Sequence, residues 1–467
     1  SSAGGMGGGG GGGGGGGSAG CVPSENPSGI SDTCDGVFVS SSLGDDGNDG
    51  SKDKPFATLG AALAIAGDKP VYACAEVFTE ALVVAEKITL YGGLDCANGW
   101  TYVGVAVKTR LTAAADEVPL TLKPSASGTN IEDFAIVAVD ATLAGGSSIA
   151  AIVDGAEVSF TRCDIAAGNG AAGANGVDAS STPPMQPTKG NDGKVACSMA
   201  EPILGGNQAT NDCGGTISIG GKGGDGNDAN GGPGAPGQPT GAFGAGGTGE
   251  PTMGAWTCAT GGGQPGDNGL PGTPGTGATG LGTLTSSGYA GTSGTEGQPG
   301  LPGQGGGGGG GAKGGNICPG SGAGASGGSG GAGGCGGEAG QGAGPGGASI
   351  ALVSIAATVT LTDCTVKAGS GGNGGNGGDG GGGQQGGGPG LGGNGGTAPS
   401  GLNAACFGGA GGFGGPGGQG GGGLGGHSLA IAFVGSSPAM EGATSAERGH
   451  RLLVRLRSGN PSELRRR

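Results

Sequence analysis

The chain contains few of the residues from which globular cores and common active sites are built. Only 3% of its 467 residues are aromatic, 12% are charged, and two are histidines. This composition excludes an ordinary side-chain core over most of the length, because too little surface can be buried to offset chain entropy. With two histidines and no CxxC or CxxH spacing, the twelve cysteines do not indicate zinc sites.

Long apolar runs and an apolar leader are also missing. No run of 18 apolar residues occurs, so the sequence predicts no transmembrane segment. The chain starts at Ser1 without an apolar leader, which predicts that any export signal has already been removed. We interpret the Ser/Gly-rich residues 1–20 as a tether behind a cleaved signal or behind a lipidated cysteine just upstream.

Basic groups are scarce in the body of the chain. Residues 1–440 hold 13 basic and 32 acidic groups, which disfavours nucleic acid and anionic membranes as partners. Residues 441–467 reverse this balance with 7 basic groups against 3 acidic ones. We predict that residues 438–467 form a disordered basic tail, either an anchor or a truncated end that does not fold.

Cysteine, by contrast, is plentiful and points to disulfides. Twelve scattered cysteines in a loop-rich chain indicate an oxidising compartment, outside the cell or on its surface. Sequence does not fix the connectivity, but proximity and the repeat described next favour five candidate pairs. The pairs are Cys21/Cys34, Cys74/Cys96, Cys197/Cys213, Cys318/Cys335 and Cys163/Cys364.

An internal repeat relates residues 145–168 to residues 346–369. The two stretches, offset by 201 residues, are identical at 11 of 24 positions, and a third, shorter copy begins at Gly425. Two long glycine-rich stretches leave the repeat at the same point, after Gly168 and after Gly369. This pattern is typical of a solenoid whose coils carry large insertions at one corner.

Short β-branched and aliphatic runs separated by turn residues predict many small strands. The order VFVSSSLGDDGNDGSKDKPFATLGAALAIA, VYACAEVF and ITLYGGLDC resembles the N-terminal cap and first coils of the pectin-lyase-like right-handed parallel β-helix family. The resemblance covers roughly residues 35–168, with single coils at 346 and 425. It implies an all-β fold, a parallel β-helix stem from which the glycine-rich insertions project on one side.

The glycine-rich insertions are similar in composition to PGRS-type surface proteins. Together with the β-helix resemblance, they divide the chain into seven parts. These are a tether (1–20), the cap and first coils (21–167), an insertion (168–345), a coil (346–367), a second, GGX insertion (368–424), a partial coil (425–437) and the basic tail (438–467).

Glycine recurs with a period of three in the insertions, as in GGN-GGN-GGD from Gly371. Helix is excluded, since each Gly costs about 0.8–1 kcal/mol relative to Ala in a helix. A period of three matches polyproline-II geometry, whose free backbone donors can bond neighbouring segments. We therefore predict a sheaf of polyglycine-II segments, with flexible linkers as the alternative.

One loop near the N terminus is dense in hard oxygen ligands. Its residues Asp45, Asp46, Asn48, Asp49 and Asp53 are a candidate set of Ca²⁺ ligands, and Ca²⁺ is the one cofactor for which the sequence offers residues. The alternative is that they act as turn residues and as a helix cap.

The β-helix resemblance also implies catalysis on polysaccharides as an alternative function. Candidates on one coil are Asp154, Glu157, Arg162 and Asp164. Hydrolysis of a polysaccharide requires paired carboxylates, and the residues at the matching positions of the second repeat copy do not complete such pairs. No catalytic motif of the family transfers residue by residue. We interpret Arg162 and Asp164 as a surface ion pair.

These observations favour a non-enzymatic, exported protein with a structural or adhesive role. We expect it outside the cell or on its surface, with a lipid anchor in an outer membrane as one alternative. Its expected partners are other surface proteins, a polysaccharide or further copies of itself. A polysaccharide-active lyase or hydrolase and an ice-binding protein remain the alternatives. The last rests on the similarity of disulfide-braced GXX helices to the snow-flea antifreeze protein.

Overall fold

A computed structural model describes residues 21–180, 187–199, 201–318, 322–396, 401–447 and 451–455. Strands far outnumber helices in it. The helices are α1 (Leu59–Ala66), α2 (Cys258–Gly261) and the 3-10 turns Pro23–Glu25, Cys96–Asn98, Pro124–Ala126 and Gly315–Ile317. No helix among the described residues is long and apolar enough to cross a membrane.

The strands are, in chain order, β1 (Val37–Val39), β2 (Val71–Cys74), β3 (Val77–Thr79), β4 (Leu82–Val84), β5 (Thr89–Asp95), β6 (Thr101–Tyr102), β7 (Thr109–Thr112), β8 (Leu120–Leu122), β9 (Thr129–Glu132), β10 (Phe134–Val137), β11 (Ser148–Asp154), β12 (Glu157–Thr161), β13 (Asp164–Ala166), β14 (Thr210–Asp212), β15 (Ile217–Ile219), β16 (Thr283–Thr285), β17 (Gly288–Ala290), β18 (Ser349–Ile355), β19 (Thr358–Thr362), β20 (Thr365–Lys367), β21 (Ser428–Val434), β22 (Ala439–Glu441), β23 (Ser445–Glu447) and β24 (Arg451–Arg455).

Three sheets with parallel pairing form what we call the stem. The first runs β1-β2-β5-β9-β12-β19-β22, with β6 antiparallel to β5; the second runs β23-β20-β13-β10-β7-β3; the third runs β24-β21-β18-β11-β8-β4. From β7 onward the chain visits the second, third and first sheets in this fixed order. The short hairpins β14–β15 and β16–β17 lie outside the stem.

The sequence repeat is a structural repeat. Ser148 pairs with Ser349, Glu157 with Thr358 and Asp164 with Thr365, so all three strands of one copy stack on those of the other at the offset of 201. Both glycine-rich insertions leave after a strand of the second sheet and return to a strand of the third. The common exit point predicted from the sequence is therefore confirmed.

Alternating side chains build the interior of the stem, as strands with one buried face require. Residues such as Leu122, Ile136 and Phe160 are fully buried in one apolar cluster that runs through all three sheets. On β1, Val37 and Val39 join this cluster, while Phe38 between them packs in a second cluster on the other face of the first sheet.

The C-terminal part differs from the prediction. The third coil was predicted to end before Pro438, but β22 and β23 continue it on the first and second sheets, and β24 returns to the third. Residues 439–441, 445–447 and 451–455 are thus strands, not a disordered tail. Backbone pairing to the preceding coil supplies the order that a weak apolar pattern did not predict. The remainder of the predicted tail lies outside the described residues, as does the predicted tether, residues 1–20.

Among the described residues of the insertions, ten extended segments form what we call the bundle. Hydrogen bonds at three-residue intervals join them side by side. They are segment 1 (168–180 and 187–196), segment 2 (203–209), segment 3 (220–227), segment 4 (231–238), segment 5 (244–250), segment 6 (261–278), segment 7 (294–314), segment 8 (323–347), segment 9 (369–395) and segment 10 (405–427).

Two central segments are surrounded by the others. Segment 7 is hydrogen-bonded to segments 3, 4, 5, 6, 8 and 10, and segment 8 is bonded to segments 1, 2, 3, 7, 9 and 10. Six neighbours around each central segment is the arrangement of a hexagonal lattice. The backbone groups that extended segments leave unpaired internally are thereby satisfied between segments.

The centre of the bundle is buried without an apolar side-chain core. All residues of 303–312 and 323–335 are buried, although the first stretch has only the side chains of Gln304 and Ala312. At Gly308 a Cβ would lie well under 3.0 Å from the Lys222 carbonyl oxygen, so only glycine allows this approach. Main-chain hydrogen bonds here replace the side-chain packing of an ordinary core.

Five disulfides are present, as is typical of proteins from an oxidising, extracellular environment. Cys21–Cys34 and Cys74–Cys96 confirm two predicted pairs. The predicted pairs Cys197/Cys213 and Cys318/Cys335 are wrong. The bonds are instead Cys197–Cys318, Cys213–Cys335 and Cys258–Cys406. An extended chain advances about 3.1 Å per residue, so cysteines close in sequence are carried apart while neighbouring segments bring distant ones together.

Cys163 and Cys364 face each other on stacked strands but are free thiols, which contradicts the fifth predicted pair. The Cys163 amide donates to Cys364 Sγ at 3.3 Å, and both sulfurs lie within reach of backbone carbonyls. Burial raises the pKa of Cys163, whereas hydrogen bonding from Cys163 lowers the pKa of Cys364. Each thiol thus has local hydrogen-bond partners in place of a disulfide.

Candidate functional site

The residues considered for catalysis lie at a corner of the stem. Arg162 there is bound to two carboxylates, at 2.8 Å to Glu132 and at 2.8 Å to Asp133. Asp164, its predicted partner, instead pairs with Lys108 at 2.8 Å. The predicted Arg162/Asp164 ion pair is therefore wrong, because the left-handed backbone at Arg162 (φ 53°) ends one strand and turns its side chain back onto the preceding coil.

This arrangement does not suit proton abstraction. The hydrogen bonds that Arg162 donates to Asp133 raise the pKa of Arg162 still further above its usual range, whereas a general base needs a pKa near the working pH. Asp154 pairs in register with Ile355, and Glu157 with Thr358, so the following coil places no carboxylate opposite either one. The corner is chemically a structural ion cluster, closed further by Tyr102 Oη donating to Asp133 at 3.0 Å.

Replacing Arg162 with methionine is expected to destabilise the stem by about 3 kcal/mol, because the Asp133 side chain, only 3% exposed, loses its charged partner. Denaturant unfolding would measure the change. Lys367→Met is the matched control. Its ion pair with Glu447 is more than half exposed on both sides, so the loss should stay below about 1 kcal/mol. Equal effects of the two variants would contradict the assignment.

The candidate Ca²⁺ loop uses its oxygens within the chain. Asp46 accepts the amides of Ala57 and Thr58 at 2.9 Å and so holds the start of α1. Asp45 accepts the Gly47 amide, and Asp49 accepts the Ser51 amide. Hydrogen bonding from the Ser51 side chain, and then from its amide, lowers the pKa of Asp49. Among the described residues no group of three or more His, Cys, Asp or Glu side chains could hold a metal ion. The geometry is that of turn and cap residues.

The side chains of the bundle that a ligand could reach lie on its outer segments. In segment 10, Ala410, Phe413, Pro416 and Gln419 recur at every third residue between glycines and lie at or near the surface. Their spacing places one row of side chains along segment 10, since extended triplet segments repeat every three residues. The bundle therefore displays side chains from a backbone that cannot rearrange without breaking its lattice of hydrogen bonds.

A ladder of polar side chains satisfies outward-facing amides. Asn169, Asn175 and Asp178 of segment 1 each accept from the amide of the residue 201 positions later, Ser370, Asn376 and Asp379, at 2.8–2.9 Å. Asp192 binds the Leu391 amide and Asn268 the Phe413 amide in the same way. Sequence reasoning missed this ladder, although the recurrence of Asn and Asp at the repeat offset was a usable signal.

Three large apolar side chains lie on adjacent segments at one level of the bundle. Leu270 is 67% exposed, Leu301 54% and Phe413 52%. The Leu301 amide donates to the Leu270 carbonyl, and the Gly269 amide donates to the Phe413 carbonyl, which fixes the three at neighbouring positions. We call these residues the apolar band. Exposed apolar side chains held together on a rigid surface are typical of interaction sites.

Comparison with known proteins gives no relative. No family model, no curated protein and no solved structure matches this chain.

Proposed function

We propose that the protein is a non-enzymatic surface protein with an adhesive or structural role, in which the stem is a base and the bundle presents the binding surface. The coiled order of the strands supports a right-handed parallel β-helix as the stem, since parallel crossovers are almost always right-handed. The period of three in the bundle's hydrogen bonds supports polyglycine-II geometry.

One observation carries the proposal. The bundle buries its own backbone at the centre and leaves its largest apolar side chains at the surface, where they contribute nothing to a core. A segment that needed only to fold would gain by burying these side chains, at about 25 cal/mol per Å² of apolar surface. Leu270, Leu301 and Phe413 are therefore assigned to contact with another surface.

Adhesion tests this proposal. The triple variant Leu270→Ser, Leu301→Ser and Phe413→Ser should bind at least about tenfold less to phenyl-coated and polysaccharide-coated beads than the unchanged protein, since a few apolar anchors commonly dominate an interface. The matched control changes Thr273, Gln298 and Gln419 to serine on the same three segments. Wild-type-like binding by the apolar-band variant would contradict the proposal, as would an equal loss in the control.

The same preparations decide the enzymatic alternative. Incubation with uronate polymers should release neither unsaturated products nor new reducing ends. Release that is lost in Arg162→Met and retained in Lys367→Met would instead assign polysaccharide cleavage to the stem.

A further inference from the structure

In the half of the bundle nearest the stem, the described residues leave a gap in the lattice. In the far half, segment 3 lies against both central segments, and its Gly221 and Gly224 amides donate to segment 7. Segment 3 begins where Ser218 Oγ bonds the Gly303 carbonyl and the Gly333 amide. Nearer the stem, no described residue continues this column, and a groove lies there between segments 1 and 7 with segment 8 as its floor.

The floor of this open groove carries amides at regular intervals. Along segment 8, the amides of Gly324, Gly327 and Gly330 donate to segment 3 and that of Gly333 to Ser218. The next amides of the same row, those of Gly336, Ala339 and Gly342, have no acceptor among the described residues. These three residues are half-buried, whereas residues 323–335 are buried. Unpaired backbone donors this close to the interior are uncommon in folded proteins.

Acceptors line the same column on segment 7. The carbonyls of Gly306 and Gly309 accept from segment 3, and that of Gly303 accepts from Ser218. Gly300 and Gly297 continue the row at three-residue spacing, and their carbonyls accept from no described residue. The groove thus presents amide donors on segment 8 and carbonyl acceptors on segment 7. Farther from the stem, segment 3 pairs with the same two rows of groups.

The chemistry of the occupant follows from this spacing. Only an extended chain with three residues per turn meets every third amide, and only glycine fits where a Cβ would strike a carbonyl. The rim carries Asp178, Glu296 and Glu338, so an uncharged or basic chain suits it better than an acidic one. In segment 3 the corresponding residues read GGKGGDG.

The chain itself contains such a sequence outside the described residues. Residues 4–17 are thirteen glycines and one methionine, without charge. In polyproline-II geometry these 14 residues would span about 43 Å, against about 28 Å for the column beside residues 336–345. Length, charge and glycine content all fit the open groove.

The position of Cys21, where the described chain begins, favours a second copy as the source of the occupant. Tyr72 Oη holds the Cys21 carbonyl at 2.8 Å on the outer face of the first sheet. The insertions leave the stem between the second and third sheets, on the other side. We propose that residues 4–17 of one copy insert into the open groove of another and pair with Gly336, Ala339 and Gly342. Such a contact is not self-complementary, so it joins copies head to side into open arrays.

Amide exchange on the full chain tests this inference. In concentrated solution the amides of Gly336, Ala339 and Gly342 should exchange at least about tenfold more slowly than in a variant lacking residues 1–20. Replacing residues 8–16 by serine should remove the protection equally at unchanged length. The amides of Gly334, Gly337 and Gly340 provide the internal control, since they lie on the same segment but donate to segment 10.

Mixing experiments show whether the inserted segment comes from a second copy. Unlabelled full chain should restore protection to the labelled variant that lacks residues 1–20, and sedimentation should show assemblies for the full chain but not for the deletion. Fast exchange in the full chain, protection that survives the deletion, or protection independent of concentration would each overturn the proposal. None of these outcomes bears on adhesion by the apolar band, which is measured separately on beads.

Discussion

Replacing Gly308 with alanine is expected to unfold the bundle while the stem stays folded. The new Cβ would lie against the Lys222 carbonyl oxygen, well under 3.0 Å, and backbone on both sides would have to move. Segment 7 is enclosed by six neighbours, so no direction is free. The expected cost therefore exceeds the roughly 1–3 kcal/mol of ordinary overpacking. Thermal unfolding should show a separate, much earlier transition for the bundle.

Gly382→Ala is the matched control for this variant. It is also a glycine of a bundle segment, but a Cβ there would meet nothing within 4 Å. Because alanine lowers the conformational entropy of the unfolded chain, the substitution should leave the stability of the folded protein unchanged or raise it by up to about 1 kcal/mol. If both substitutions shift the melting temperature equally, close backbone packing is not what holds the bundle together.

The second large effect is expected from the long-range disulfides. Cys258–Cys406 closes a loop of 148 residues, for which chain entropy predicts about 5 kcal/mol of stabilisation. Cys21–Cys34, with a separation of 13, should contribute about 3 kcal/mol and act on the stem alone. Paired Cys→Ser variants compared by amide exchange would separate the two. The first should speed exchange across segments 6 and 10, and the second should leave the bundle unchanged.

Loss of protection confined to the few residues around Cys258 and Cys406 would contradict this prediction. It would mean that the lattice of backbone hydrogen bonds is cooperative without covalent support. The stem serves as the reference in the same experiment, since neither cysteine lies in one of its strands.

Some of the site could be read from residues alone. The triplet pattern of segments 9 and 10 indicates which positions face outward. With three residues per turn, every third residue lies on the same face of its segment. The exposed positions of Leu391 and Phe413 follow directly. That Leu270, Leu301 and Phe413 form one band does not, since they belong to segments far apart in the chain and meet only through lateral hydrogen bonds.

The amino-acid sequence by itself determined the stacking of the repeat and the exit of both insertions at one corner. A repeat of strand-forming residues at a fixed offset can bury its apolar face only against its own copy. Near-pure glycine stretches likewise leave the backbone as the only source of order. These are local or periodic properties, which can be recognised directly in the linear sequence.

Tertiary structure alone decided which distant groups meet. Cys197 bonds Cys318, and Arg162 binds the preceding coil, because the lateral order of segments and coils sets these contacts. The strands after Pro438 follow the same rule, since an existing edge templates them despite a weak pattern of their own. The column beside segment 8 that no described residue occupies is the clearest case: each segment has a suitable sequence, and only the packing of the described segments shows this place.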